Sequence, residues 1–448
     1  MTQTSAIRKI VKRDGTVVDY DRRRITAAIQ KALVSTGRPS AGLAGAMAAR
    51  VESALLGAYG AESIPSVEDI QDVVESVLME NRLTDVARKY IIYRHQRAMA
   101  RAARAYDFEV TDNVPYKKIY EVLRWNIDHG CDSVRALNRI IAAGDFPGLV
   151  ADSDRRYEEE TRRAASSILE RIGDIRIAIV AGPSSSGKTT TTIKISETLA
   201  RAGVGLKALN IDNYFFDLER HPKDEFGDYD YETPEALDLS LINTHLEKLL
   251  DGRSVKTPHY DFKTGRRTPD AHDFVLEKNE ILLIDSLHGL YDSMTESIPP
   301  PAKYKLYIET LGQLKARDGS LMRWADNRLL RRMARDKDFR NLQPIETLTH
   351  WHYVRRSELE HIIPYIRNAD FIVNSALPYE LPILRRRLFR YISTAAHRFA
   401  EDPRRLDAHI RANRVHGLLK PLRMVKDESC VGPTSLLREF IGGSRYRY

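Results

Sequence analysis

Residues 182–189, G-P-S-S-S-G-K-T, carry the clearest chemical signal in the chain. They match the pattern G-x-x-x-x-G-K-[ST], in which backbone N–H groups cradle phosphates, the lysine reaches the β- and γ-phosphates and the last hydroxyl binds Mg²⁺. An apolar run precedes the loop, and helical spacing follows it from 188 to about 202, so we predict a strand, a loop and a helix. The sequence therefore predicts an ATP and Mg²⁺ site. Its predicted nucleotide-binding residues are Gly182, Pro183, Ser184, Ser185, Ser186, Gly187, Lys188, Thr189 and Thr190, with Thr189 also a metal ligand.

Two carboxylates each follow an apolar run that is typical of a buried strand. Asp285 ends the run 280–285, and Asp212 follows the run 206–211. The carboxyl ends of parallel strands meet at one edge of a sheet, where ligands bind. We therefore expect Asp285 near Mg²⁺ and Asp212 near the γ-phosphate, as the general base that a kinase needs. The alternatives are a capping role for either residue, or a place for Asp212 in the metal shell.

Further along the chain, a predicted helix carries Arg328, Arg331, Arg332 and Arg335. The spacing i, i+3, i+4 and i+7 puts these four side chains on one face, where like charges repel. Such a face suggests an anion to neutralise, here the phosphoryl group in transfer. The alternative is a solvated face that is partly paired with Asp326 and Asp336.

About 100 residues separate the phosphate loop from Asp285, more than one strand-helix unit needs, so part of this span should form the acceptor pocket. Two segments, 228–235 and 259–266, combine aromatic and charged residues and include Phe262 and Arg266. Carboxylates that grip sugar hydroxyls and rings that stack on a base would have this composition. Loop aromatics that close a core would have it too.

The elements that position these residues define an α/β fold, a parallel sheet with helices on both faces. The predicted strands are 175–181, 206–212, 280–285, 304–308 and 370–374, and they alternate with helices. Alternation around Asp14-Gly15 predicts a hairpin over residues 7–20, followed by helices. We predict four regions: a small hairpin-plus-helices domain at 5–98, a helical connector at 105–170, the phosphate-loop domain at 171–380 and a C-terminal helical extension at 381–448.

Composition narrows the classes of protein. The 448 residues include 42% hydrophobic residues and only two cysteines, which cannot build a zinc ribbon or a disulfide framework. No apolar run approaches the length of a membrane span, so we expect no membrane partner and a cytoplasmic location. The net charge of +8 suits anionic ligands such as nucleotides.

Residues from about 175 to 380 resemble the uridine kinase and phosphoribulokinase branch of P-loop kinases. The resemblance rests on the phosphate loop and on four later segments, which are 211–214, 232–238, 260–262 and 326–336. It implies transfer of the ATP γ-phosphate to an alcohol, with Asp212 as base, the four arginines in a closing lid, and Glu232 and Tyr260 toward the acceptor. Gly265 stands where these kinases have a base-contacting histidine. A nucleoside is therefore the first expectation, and another alcohol or an RNA hydroxyl remains the alternative.

Residues 5 to about 98 resemble the ATP-cone domain, a nucleotide-sensing module. The matching segments are 11–15, 20–25 and 87–94. The resemblance implies that Lys12, Arg13 and Arg24 contact the phosphates of a second, regulatory nucleotide, and that the chain assembles as a homo-oligomer. The alternatives are a docking domain with surface charge and, since cones also occur in a repressor, an ATP-dependent regulator that binds nucleic acid. The two isolated cysteines argue against the latter, because that repressor pairs its cone with a zinc ribbon.

Overall fold

The computed structural model describes residues 7–11, 17–59, 64–102, 113–222, 229, 233–400, 402 and 405–448. It divides into two compact units, Met1–Glu109 and Val110–Tyr448. Within the described residues, no helix has both the length and the apolar character needed to cross a bilayer.

The first unit is a two-stranded antiparallel hairpin followed by four helices. The elements are β1 (Lys9–Val11), β2 (Val17–Asp19), α1 (Arg22–Ser35), α2 (Ala41–Tyr59), α3 (Val67–Glu80) and α4 (Thr84–Ala102). Side-chain caps start two of the helices: Asp21 accepts from the backbone of α1, and Ser66 forms a reciprocal capping box with Asp69 at α3. Apolar residues at helical spacing, such as Ile29 and Leu33 on α1, are fully buried in the core of this unit.

The second unit begins with three helices, α5 (Tyr116–Asp128), α6 (Val134–Ala143) and α7 (Phe146–Glu170). Ser133 caps α6, and Gly144 ends it in the left-handed conformation that favours glycine. The long helix α7 packs on the central domain, because its buried Tyr157 hydroxyl lies 2.7 Å from the Thr191 hydroxyl, just beyond the phosphate loop.

The central domain is built on a five-stranded parallel sheet in the order β4-β7-β3-β8-β9. The predicted parallel α/β fold is confirmed. Its elements, with two further strands outside that sheet, are β3 (Ile177–Ala181), α8 (Lys188–Arg201), β4 (Gly205–Leu209), α9 (Leu239–Leu250), β5 (Val255–Asp261), β6 (Arg266–Phe274), β7 (Glu280–Ser286), β8 (Lys303–Glu309), α10 (Trp324–Phe339), α11 (Pro344–His361) and β9 (Phe371–Asn374).

Strands β5 and β6 form a separate antiparallel hairpin that the sequence analysis did not predict. Its turn is closed by Gly265, whose φ of +68° favours glycine. The chain then continues through α12 (Glu380–Arg398), α13 (Leu406–Leu419) and the short α14 (Arg438–Ile441). Leucines and isoleucines of α12, together with Phe440 of α14, join the same buried core as the sheet.

Candidate active site

The phosphate loop connects β3 to α8 in a conformation that depends on its two glycines. Gly182 has a φ of +155°, and a Cβ at this position would lie 2.3 Å from the Ile308 carbonyl oxygen. Gly187 has a φ of +90° and begins α8. A larger residue at 182 would therefore collide with the backbone of β8, and the loop can wrap tightly only with glycine there.

The polar groups of the loop suit a triphosphate and its metal. Lys188 donates from Nζ to the Gly182 carbonyl at 2.9 Å, so its ammonium lies over the loop. The hydroxyls of Ser185 and Ser186 are buried and have no hydrogen-bond partner within the described part of the chain, and Thr189 is exposed at the start of α8. Unpartnered donors beside an ammonium at a helix N-terminus form a phosphate-binding arrangement.

Asp285 lies near the carboxyl end of β7, directly beside the end of β3. In the parallel register Asp285 pairs with Val180, two residues before Gly182. Asp285 therefore lies on the strand next to the one that leads into the phosphate loop. Mg²⁺ is commonly bound through one or two carboxylates together with substrate phosphates, and Asp285 with Thr189 fits such a site.

Asp212 reaches the same edge from β4 in a slightly different way than expected. The strand ends at Leu209, and Asp212 lies in a 3₁₀ turn, Ile211–Tyr214. The Asn210 side chain stabilises this turn, because it accepts a hydrogen bond of 3.0 Å from the Asp212 backbone N–H. Asp212 has an exposed surface, although the protein atoms around it reduce the hydration of its carboxylate.

The charges of Lys188, Asp212 and Asp285 influence one another. Loss of hydration raises the pKa of Asp285, and the Lys188 ammonium opposes this shift. The pKa of Asp212 is also raised, first by loss of hydration in the crevice and then by the like charge of Asp285, while Lys188 again opposes the shift. The phosphate loop and both carboxylates therefore form one electrostatic cluster at the edge of the sheet.

Arg328 is buried beneath the phosphate loop, with 1% of its side chain exposed. Its guanidinium pairs with Glu309 at 2.8 Å and with Glu358, and it donates to the Ser184 carbonyl at 3.3 Å. Two buried carboxylates, Glu309 at the end of β8 and Glu358 on α11, therefore neutralise the charge of Arg328. The sequence had suggested that a phosphoryl group would do so.

Arg331 occupies a similar buried position. It pairs with Glu380 at 2.6 Å and donates to the Ser375 carbonyl at 2.6 Å and the Ser186 carbonyl at 3.4 Å. The resemblance implied that Arg328 and Arg331 belong to a closing lid, but their side chains are buried in the structure. Both are fixed inside the protein, where they hold the phosphate loop from behind.

Arg332 and Arg335 are the two arginines of this face that stay partly exposed, at 24% and 18% of their side chains. Arg332 donates to the Ser184 hydroxyl at 3.1 Å, so it reaches the loop from outside. Both guanidinium groups approach the buried Asp336 at 3.4 Å. Burial lowers the pKa of Arg335, and the neighbouring Arg340 adds to this effect.

The predicted acceptor residues divide into a buried part and an open part. Tyr260 is 2% exposed, and its ring lies 5.5 Å from Phe215 and 4.9 Å from Phe262, which is 60% exposed. The backbone N–H of Tyr260 donates to the Asn213 side chain at 3.2 Å, so the β5-β6 hairpin is tied to the turn that carries Asp212. Arg266 lies on the hairpin and pairs with Glu219 at 3.0 Å. Glu232 lies outside the described residues.

His221 adds a further ring to the aromatic cluster, and no sequence motif indicated it. His221 is 4% exposed, and its ring lies roughly parallel to Tyr260 at 6.2 Å. Its Nε2 lies 2.7 Å from the Phe216 carbonyl, which fixes the ring. His221 stands about 40 residues before Tyr260 in the sequence, so no local motif joined the two.

Of the residues assigned to the second nucleotide, Lys12 and Arg13 lie outside the described residues. Arg24 is exposed in the first turn of α1. At the other end of this unit, Arg94 of α4 pairs with Glu68 at 2.9 Å and with Glu75 at 2.8 Å, so it fastens α4 to α3.

Two family models match separate parts of the sequence. Residues 8–99 match the family model described as ATP cone domain, and residues 177–380 match the model described as Phosphoribulokinase / Uridine kinase family. A uridine kinase of Deinococcus deserti is 31% identical over 195 residues, which cover 43% of this chain and 84% of that protein. A vitamin B12-dependent ribonucleoside-diphosphate reductase of Thermoplasma acidophilum is 43% identical over 104 residues, or 21% of this chain and 12% of that protein.

Among solved structures, one described as a possible uridine kinase from Bacillus stearothermophilus matches with a TM-score of 0.33 and 15% identity, over 48% of this chain and 98% of that chain. The family assignment rests on the sequence matches and on the phosphate loop within a parallel sheet. The chain therefore belongs to the phosphoribulokinase and uridine kinase family of ATP-dependent kinases that act on a hydroxyl group, and its N-terminal region carries an ATP-cone domain.

Proposed function

We propose that this protein is an ATP-dependent kinase that transfers the γ-phosphate to a hydroxyl of a small molecule, with a nucleoside as the preferred acceptor. The observation that carries the proposal is the cluster of Lys188, Asp212 and Asp285 around the phosphate loop. A site that only binds ATP needs no carboxylate facing the γ-phosphate, whereas a kinase needs a group that takes the acceptor's proton.

In the proposed reaction, Asp212 takes the proton of the acceptor hydroxyl while that oxygen forms its bond to the γ-phosphorus. The bond from the γ-phosphorus to the bridging oxygen breaks, and ADP leaves with that electron pair. Lys188 and Arg332 stabilise the negative charge on the transferring group. Thr189 and Asp285 would hold Mg²⁺, which when bound neutralises charge on the phosphate oxygens.

The acceptor side supports a nucleoside through its rings. Phe262 is exposed beside Tyr260 and Phe215, and all three lie on elements joined to the Asp212 turn. An exposed ring of this kind offers a flat surface for a base. Curated relatives that cover this region include uridine kinases, which supports a nucleoside acceptor.

The test is an acceptor screen with purified protein, ATP and Mg²⁺ against nucleosides, sugars, polyols and RNA ends. Asp212→Asn should abolish transfer and leave ATP binding intact, because it removes the base and keeps the shape of the side chain. Asp251→Asn is the matched control, since Asp251 is 63% exposed and pairs only with Arg253 among the described ion pairs. Unchanged turnover in Asp212→Asn would remove that residue from the role of base, and transfer to no acceptor would refute the kinase proposal.

We further propose that the ATP-cone domain binds a second nucleotide that regulates the kinase. The family match over residues 8–99 and the exposed Arg24 on the first turn of α1 support this site. Lys188→Ala should abolish binding at the phosphate loop and leave one binding event in calorimetry, which Arg24→Ala should weaken. A wild-type protein with one site, and a Lys188→Ala variant with none, would contradict the second site.

A further inference from the structure

The segment of residues 435–448, here called the C-terminal segment, contacts the phosphate loop directly. Glu439 accepts two hydrogen bonds from Thr190, at 3.2 Å from its backbone N–H and 2.7 Å from its hydroxyl. The Tyr448 hydroxyl lies 3.0 Å from the same Thr190 hydroxyl. Leu436 packs so close to Gly187 that a Cβ there would lie 2.6 Å from its Cδ1.

The first half of this segment, residues 435–441, is mostly part of the core of the unit. Leu436, Leu437 and Phe440 are fully buried, and Glu439 is 8% exposed. The Arg331 guanidinium, which holds the loop from behind, lies 5.1 Å from the centre of the Phe440 ring. Residues 435–441 are therefore a fixed part of the wall around the loop, whereas residues 442–448 lie closer to the surface.

Glu439 is placed where an anion is stabilised. Thr190 is in the first turn of α8, whose free N–H groups carry partial positive charge. Burial raises the pKa of Glu439, while the Thr190 bonds and the charges of Arg335 and Arg331 oppose that rise. The carboxylate thus links the start of α8 to the arginines of α10.

Tyr448 differs from the rest of the segment because its ring is open. The residue is 56% exposed, although its hydroxyl lies 3.0 Å from Thr190 and 2.9 Å from the Ser444 hydroxyl. A ring that is held by its hydroxyl beside the first turn of a phosphate-binding helix, in a residue that is more than half exposed, is suited to stack on a base or ribose. No other part of the proposed mechanism uses this ring.

We propose that the C-terminal segment is part of the donor-nucleotide site: Glu439 is a positioning residue that fixes the first turn of α8 through Thr190, and Tyr448 contacts the nucleoside of the donor. This inference rests on the proposed kinase function. It assigns the donor's base to a segment that lies about 250 residues after the phosphate loop.

The first experiment measures ATP binding by calorimetry in the whole chain without acceptor, and it follows the binding event at the phosphate loop, which is the one that Lys188→Ala should remove. Tyr448→Ala should weaken binding about tenfold, the size expected for loss of one base-aromatic stack. Tyr448→Phe keeps the ring and should weaken it less, and Tyr120→Ala, which removes another exposed tyrosine at 65% exposure, should leave it unchanged. Equal affinity of Tyr448→Ala and wild type at this site would overturn the contact, whereas a wild type without the binding event that Lys188→Ala removes would instead refute the kinase proposal.

The second experiment separates positioning from competition at Glu439. Glu439→Ala should raise KM for ATP and leave KM for the acceptor unchanged, and Glu439→Gln, which keeps an acceptor for the Thr190 N–H, should restore most of the loss. Tighter ATP binding by Glu439→Ala would mean that the carboxylate competes with phosphate and would overturn the positioning role. Thermal unfolding of each variant verifies that the protein is folded.

Discussion

The donor and acceptor sides of the crevice are built in different ways. The phosphate loop is held from behind by Arg328 and Arg331, whose carboxylate partners are all buried. On the proposed acceptor side, the Phe262 ring is 60% exposed, and Arg266 pairs with Glu219 at the surface. The first side is fixed by many buried contacts, and the second presents adaptable groups to solvent.

The family resemblance explains the phosphate side of the site, but it leaves the identity of the acceptor open. Phosphoryl transfer depends mainly on positioning and electrostatics, which requires a rigid cradle for the phosphates. The acceptor needs only a surface of suitable shape beside Asp212. Kinases of one family can therefore keep the donor side and change the acceptor side, and here Gly265 stands at the tip of the hairpin that bears Tyr260.

Removal of a buried arginine should have the largest effect on the donor side. Arg331→Ala leaves the buried Glu380 without its ion-pair partner, so we expect a loss of about 3–5 kcal/mol in the free energy of unfolding. Arg332→Ala, from the same helix but 24% exposed, should change stability little and lower kcat. Urea unfolding and steady-state kinetics measure both, and a comparable loss of stability in the two variants would contradict the distinction between them.

A methyl group added to the phosphate loop should disturb the binding of ATP without changing any charged residue. Gly182→Ala places a Cβ against the Ile308 carbonyl oxygen, so the loop must shift, and we expect kcat/KM for ATP to fall on the order of a hundredfold. Gly148→Ala in α7 is the control, because its Cβ meets no atom within 4 Å. Wild-type kinetics for Gly182→Ala would show that the loop tolerates this displacement.

The sequence predicted the features that depend on local patterns. The loop, the strands of the parallel sheet and the approach of Asp212 and Asp285 to one edge all follow from short runs and from the geometry of parallel strands. The spacing of the arginines predicted a shared helix face correctly, yet spacing alone cannot tell whether that face meets a ligand or the core.

The contacts that decide this question are distant in sequence. Arg331 meets Glu380 49 positions away, and Thr190 meets Glu439 249 positions away. No periodicity or motif connects such pairs, since they depend on how complete elements pack. The hairpin of β5 and β6 was missed for a different reason: its aromatic and acidic residues resembled binding loops, and its strands do not join the main sheet.

On the acceptor side, Phe262→Ala should act on one substrate alone. The exposed ring contributes little to the core, so we expect the protein to fold normally, KM for the acceptor to rise about tenfold and KM for ATP to stay constant. Steady-state kinetics with each substrate varied in turn measure this split. A parallel rise in both KM values would mean that the Phe262 ring also affects the ATP site. The phosphate side and the proposed acceptor side would then be less independent than we expect.

The smallest expected effect is a change in the shape of the pH profile, which probes the point where the two sides meet. Since the pKa of Asp212 is raised by loss of hydration and by Asp285, the residue becomes protonated, and kcat/KM falls, at a higher pH than an ordinary aspartate would give. Asp285→Asn removes the like charge, so the acid limb should move to lower pH even though the maximal rate drops with the loss of a proposed metal ligand. The position of the limb, measured separately from its height, therefore reports the coupling of the two carboxylates. An acid limb that stays at the same pH in Asp285→Asn would mean that Asp285 does not raise the pKa of Asp212. The loss of hydration around Asp212 would then be the main cause of its raised pKa.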